Sequence, residues 1–173
     1  AAASRYRGAA EAARYGAVGS IVRAMTNYIN DSPNTGAMGY NDSLPKIPAC
    51  AISTKDAEYL SAVLRDIGKA IFFMKMSCQT FPDVKSYNVI GEIRGSEHPE
   101  EIIAVGGHLD SWDLAEGAHD DGTGVMQSVE VLRTLKKIGY KPKRTIRAVM
   151  FMNEENGLKG AYEYAKQAEL KKE

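Results

Sequence analysis

The run Ile102-Ile103-Ala104-Val105-Gly106-Gly107-His108-Leu109-Asp110 decides the fold. Its first five residues are apolar without interruption, as expected of a strand buried on both faces of a sheet. The run then turns polar at His108 and Asp110. Downstream, apolar residues recur at Val125, Val129, Leu132, Leu135 and Ile138, one face of a helix over 123–138. Gly139 ends that helix and Pro142 follows. Ile146 to Met152 is a second apolar strand, and a polar turn leads into a last helix from about Leu158. Strand, helix, strand and helix joined by short loops predict an α/β sheet with at least one crossover connection.

Upstream, Tyr87–Arg94 and Ala70–Ser77 read as two further strands, separated by a turn at Pro82-Asp83. Before Gly68 the pattern changes. An Ala-rich helix over 5–16 stops at Gly16, Ile21–Met25 is a short strand, and Thr26–Pro45 is a loop rich in Asn, Asp, Ser, Pro and Gly. Ile47–Ile52 is another strand. Ser53 then caps a helix that carries Leu60, Val63, Leu64 and Ile67 on one face and closes at Gly68. The sequence therefore predicts two parts, residues 1–68 and residues 69–173.

Composition narrows the function classes. Lys plus Arg and Asp plus Glu number 22 each in 173 residues, which leaves no basic footprint for nucleic acid and no polybasic membrane patch. The apolar runs are too short to cross a bilayer. No opening Met and no apolar leader are present, so the chain reads as part of something longer. Cys50 and Cys78 do not make a disulfide framework and are expected as free buried thiols. Asn30-Asp31-Ser32 and Asn41-Asp42-Ser43 fit the glycosylation triplet, but polar loops produce the same pattern.

The chemistry sits where strands end, which is where open α/β sheets bind ligands. His108 and Asp110 follow one strand, and Glu154-Glu155 follow the other. Between them, Gly117-Ala118-His119-Asp120-Asp121-Gly122-Thr123-Gly124 opens the amphipathic helix. Imidazole and carboxylate are ordinary zinc ligands. A carboxylate can bridge two cations roughly 3.5–4 Å apart, and a second carboxylate can take the proton of an activated water. Asp110, two residues after His108, is spaced to orient its imidazole. Each element has a plainer account when read alone: a structural strand-end His, helix-capping carboxylates at Asp120 and Asp121, and a solvated pair at Glu154-Glu155. Taken together, metal binding is as good a reading as the plain one. His98 and His119 read as surface residues and Trp112 as packing. The glycines are not a phosphate loop, since no Gly-Lys-Ser/Thr follows, and no His-Glu-x-x-His is present.

The motifs 106–113, 117–124 and Glu154-Glu155 resemble those of the zinc aminopeptidase and glutamate carboxypeptidase family. Lys141-Pro142-Lys143-Arg144-Thr145 resembles the segment that precedes the family's acidic strand, and Leu44-Pro45-Lys46-Ile47-Pro48 resembles part of a protease-associated domain. The resemblance implies the first half of a mixed-sheet zinc exopeptidase domain over 69–173, preceded by a partial protease-associated domain over 1–68. It implies two zinc ions, with His108 on one, Asp120 bridging both, Glu155 on the other, Glu154 as general base and Asp110 supporting His108. It also implies peptide or dipeptide substrates, a peptide bond after Asp120 in the cis form, a secreted or otherwise extracytoplasmic location, and a possible homodimer. The family's further Asp and His ligands have no counterpart here, because no Asp or His follows Glu155. The competing readings are a metal-free scaffold of the transferrin-receptor kind and a mononuclear zinc hydrolase.

Overall fold

A computed structural model describes residues 2–34, 36–113 and 115–171. The chain divides into two units, Ala1–Phe81 and Pro82–Glu173.

In the first unit, helix α1 (Ala2–Arg14) is followed by strand β1 (Ser20–Arg23), strand β2 (Ala49–Ile52) and helix α2 (Thr54–Ile67). β1 and β2 pair in parallel, Ser20 opposite Ala49. Ala9, Ala13 and Ile47 are buried together, so the small side chains of α1 allow close approach to the segment before β2. The predicted cap of α2 is present. Ser53 Oγ accepts the Asp56 N–H at 2.9 Å, and Gly68, at φ 77°, donates its N–H to the Leu64 carbonyl. The long loop is held by Thr54, which is fully buried: its hydroxyl donates to the Tyr28 carbonyl at 2.8 Å and accepts the Asn30 N–H at 2.9 Å. Both Asn-x-Ser triplets form local turns in which the Asn carboxamide oxygen accepts the Ser N–H.

Residues 70–77, expected as a strand, form none. Ile71 and Phe73 are 98% and 88% exposed, and the segment joins neither ladder. The apolar residues are real, but a strand exists only through a partner, and strand preference mostly measures side-chain packing on such a surface. The cysteines also differ from expectation. Both are free, but Cys50 is half-buried and Cys78 exposed.

The second unit holds strand β3 (Val89–Ile93), strand β4 (His98–His108), helix α3 (Thr123–Lys137), strand β5 (Arg144–Phe151) and helix α4 (Lys159–Lys171). The sheet order is β3-β5-β4, with β5 antiparallel to β3 and parallel to β4. The sheet is therefore mixed, and β4–α3–β5 is the crossover unit that the sequence predicted. Gly139 terminates α3 at φ 69°, as a glycine stop does.

β5, rather than β4, is the buried strand. Ala148 and Val149 are completely buried in the centre of the sheet. β4 is an edge strand among the described residues, and Ile103 is 49% exposed. An uninterrupted apolar run reports the lack of polar residues, not the number of neighbours that cover it. Among the described residues, no helix is long and apolar enough to cross a membrane.

Candidate metal and catalytic site

Parallel pairing brings two strand ends side by side. His108, the last residue of β4, is in register with Phe151, the last of β5. The Glu154-Glu155 turn leaves β5 at that level. The third contributor is the 118–122 turn ahead of α3, entered through Gly117 at φ 62°. It has non-helical backbone at Asp120 and Asp121 and a cis peptide bond between them. All five sequence-predicted site residues lie in this region of the second unit.

The imidazole of His108 is largely buried and held at both nitrogens. Nδ1 lies 2.8 Å from the backbone carbonyl of Asp110, which can only accept, so Nδ1 carries a proton. Nε2 lies 3.0 Å from Asp120 Oδ1 and 3.9 Å from Glu154 Oε2. Ligand atoms of His108, Glu154 and Glu155 lie within 4.8 Å of one another. The Asp110 carboxylate is engaged elsewhere. Its two oxygens accept the backbone N–H groups of Glu154 at 2.9 Å and Glu155 at 3.1 Å, while Oδ1 stays 3.7 Å from the imidazole. Asp110 thus orients the ring through its carbonyl and the acidic turn through its side chain. Asn153 makes the turn possible by taking φ 65°, a left-handed conformation that Asn tolerates better than most residues.

Charge crowding shapes the titration. Burial opposes the charged form of His108. The Asp110 carbonyl, the Asp120 carboxylate and the charges of Glu154 and Asp121 outweigh it and hold the pKa above its ordinary value of 6.5. Glu155 is also raised, first by burial and then by the nearby charges of Asp120 and Glu154.

The donor set fits a cation. With its proton on Nδ1, the neutral ring turns the Nε2 lone pair toward carboxylate oxygens that also offer only lone pairs. Such an arrangement is stable if the ring is doubly protonated or if a cation takes the donors together. Two atoms about 2.0–2.1 Å from a tetrahedral zinc lie about 3.3 Å apart, close to the 3.0 Å between His108 Nε2 and Asp120 Oδ1. Asp120 is 76% exposed at its side chain. His98 and His119 are exposed, as expected. His98 stands at the other end of β4 beside Glu100 and Glu101, and Glu101 is paired with Arg144.

Two residues of the site had no chemical role in the sequence. Asn88, just before β3, accepts the Met152 N–H at 2.9 Å and donates to the Gly160 carbonyl at 2.8 Å, bracketing the acidic turn. Asp121 accepts the His108 N–H and the Gly124 N–H, each at 3.0 Å. The Gly124 bond is the capping role that any helix-start acid suggests; the bond to β4 had no sequence signal.

Residues 88–173 match the model of peptidase family M28. Human carboxypeptidase Q is 44% identical over 160 residues, covering 92% of this chain and 34% of that protein. A probable aminopeptidase of Saccharomyces cerevisiae is 34% identical over 130 residues, covering 65% of this chain and 35% of that protein. Among solved structures, a peptidase M28 precursor from Shewanella amazonensis superposes with a TM-score of 0.86 at 37% identity, over 98% of this chain and 38% of that one. A zinc aminopeptidase from Bacillus subtilis gives 0.59 at 25% identity, over 94% and 37%. The chain spans about a third of the length of the curated relatives it matches. With its strand-end His and acids in place and these similarities along its length, the chain belongs to peptidase family M28.

Proposed function

We propose that the protein containing this chain is a two-zinc exopeptidase that hydrolyses peptides or dipeptides with a free amino end. One observation carries the reading: His108, Asp120, Glu154 and Glu155, drawn from three separate segments, meet at the adjacent ends of β4 and β5. His108 and Asp120 would hold one ion, and Asp120 and Glu155 the other. Bound zinc supplies Lewis acidity toward the scissile carbonyl and makes water at the site more acidic. Glu154 accepts the proton of the attacking water and returns it to the leaving amine. Asp110 keeps Nδ1 of His108 protonated and fixes the turn that carries both acids. This chain provides two protein ligands per ion, where a catalytic zinc normally has three, so residues 1–173 alone should bind zinc weakly and cleave nothing. The same reading puts the protein outside the cytoplasm, treats residues 1–68 as part of a protease-associated domain, and allows a homodimer.

Zinc titration and a dipeptide panel test the proposal on residues 1–173 and on the longer protein. Zinc-dependent hydrolysis is expected from the longer protein only. A longer protein that neither binds zinc nor cleaves peptides would refute the enzyme reading, and robust turnover by residues 1–173 would refute the ligand count.

A further inference from the structure

We infer that Asp121 is a positioning residue that sets the separation of two metal ligands, and that Gly124 makes room for its carboxylate. The inference rests on the zinc-site reading above. Asp121 follows Asp120 directly, yet its side chain does not join the ligand group. Oδ2 accepts the backbone N–H of His108 at 3.0 Å, and Oδ1 accepts the backbone N–H of Gly124 at 3.0 Å. One carboxylate therefore ties the end of β4, where His108 stands, to the first turn of α3, which follows Asp120. Both bonds are charge-assisted.

The neighbouring glycines form its socket. A Cβ on Gly124 would lie 2.3 Å from Asp121 Oδ1, and a Cβ on Gly107 would lie 2.6 Å from Oδ2 and as close to the backbone of α3, 2.6 Å from the Val125 nitrogen. Neither glycine has the positive φ that demands glycine for backbone reasons. The requirement at both positions is space, filled at Gly124 by the carboxylate and at Gly107 by the carboxylate together with the backbone of α3. Gly107 and Gly124 belong to the two motifs that carry His108 and Asp120, so contact with the Asp121 carboxylate links the two motifs.

The socket makes two predictions. Gly124 lies within α3, where alanine has the higher helix propensity. Gly124→Ala nevertheless displaces the carboxylate and both of its charge-assisted bonds, which outweighs that gain, so apo-protein melting should fall as His108 loosens. Asp121→Asn keeps the shape, but the amide has one acceptor for two N–H donors, so one bond is lost and a donor faces a donor. Loss of a group that orients a metal ligand typically costs about 10–100-fold in metal affinity.

The experiment measures zinc affinity by competition with a chelator, together with kcat, KM and apo-protein melting, for the full-length protein, Asp121→Asn, Gly124→Ala and the double variant. Each single variant is expected to lose about 10–100-fold in zinc affinity with little change in KM. The double variant should lose no more than the worse single one, because both act through the same carboxylate. Folding of Gly124→Ala without loss of zinc affinity, or additive losses in the double variant, would overturn the inference even if Asp121→Asn did not fold. A wild-type protein without zinc affinity would overturn the zinc reading and this inference together. Tight zinc binding by the wild type and both single variants alike would overturn this inference alone.

Discussion

Replacing Asp110 by alanine separates its two roles, because the backbone carbonyl that binds Nδ1 of His108 stays while the carboxylate goes. The side chain accepts two backbone N–H groups, from Glu154 at 2.9 Å and Glu155 at 3.1 Å. Hydrogen bonds to a charged group contribute about 1.5–3 kcal/mol each, which sets an upper range of about 3–6 kcal/mol for the pair. The Asp110 side chain is 17% exposed, so water can enter and partly satisfy the freed donors. The lower end, about 3 kcal/mol, is therefore expected. Asp110→Asn has one acceptor oxygen and retains one bond, so it should lose about half as much. Denaturant unfolding of the zinc-free protein measures the effect as a shift in midpoint at constant slope. Zinc titration should show weaker binding in the same order, alanine below asparagine below wild type, since both acids ride on the turn. An alanine variant as stable as wild type and binding zinc as tightly would refute the view that Asp110 holds the acidic turn.

Glu154→Gln should retain zinc and lose about 10²–10⁴-fold in kcat, because the amide cannot accept a proton; metal analysis beside steady-state kinetics checks both halves. Asp120→Ala should instead lower the zinc content itself, measured on the same samples. Zinc affinity should climb with pH through and above 6.5, since the raised pKa of His108 and of Glu155 makes protons compete with the metal and binding releases them; a pH-independent affinity in calorimetry would refute this. In the zinc-free protein both raised groups favour folding when protonated. The His108 contribution is present below its ordinary 6.5 and lost as pH rises through the raised value, and that of Glu155 is lost likewise above 4.5, so stability at these two sites should fall with rising pH. Ser53→Ala removes the N-cap bond of α2 and should cost about 1 kcal/mol of stability without touching zinc affinity.

Most of the elements were legible because their signals are local. The 3.6-residue repeat of α3, the glycine stops at Gly68 and Gly139, and the Ser53 cap each depend on residues within a few positions, and the structure has them all. The same holds for the exits of His108 and Glu154-Glu155 from apolar runs. Two inferences failed where partners mattered. Residues 70–77 have strand composition and no strand, and β4 has the apolar run of a doubly covered strand yet lies at an edge among the described residues.

The sequence by itself determined which segments are helix or strand in the second unit and which acids and imidazole stand at their ends. Periodicity and composition suffice for that, since each segment records the burial of its own face. Only the tertiary structure decided that β5 lies between β3 and β4, and that His108 and Phe151 share a register level. Only the structure showed Asp110 dividing its carbonyl from its carboxylate, and Asp121 bracing β4 against α3. These contacts join residues 44 and 13 positions apart. An apolar pattern allows many strand orders, and an aspartate's sequence position does not say which distant N–H groups it will accept. Pairing and packing choose among them, by bringing specific donors within 3 Å or so of specific oxygens.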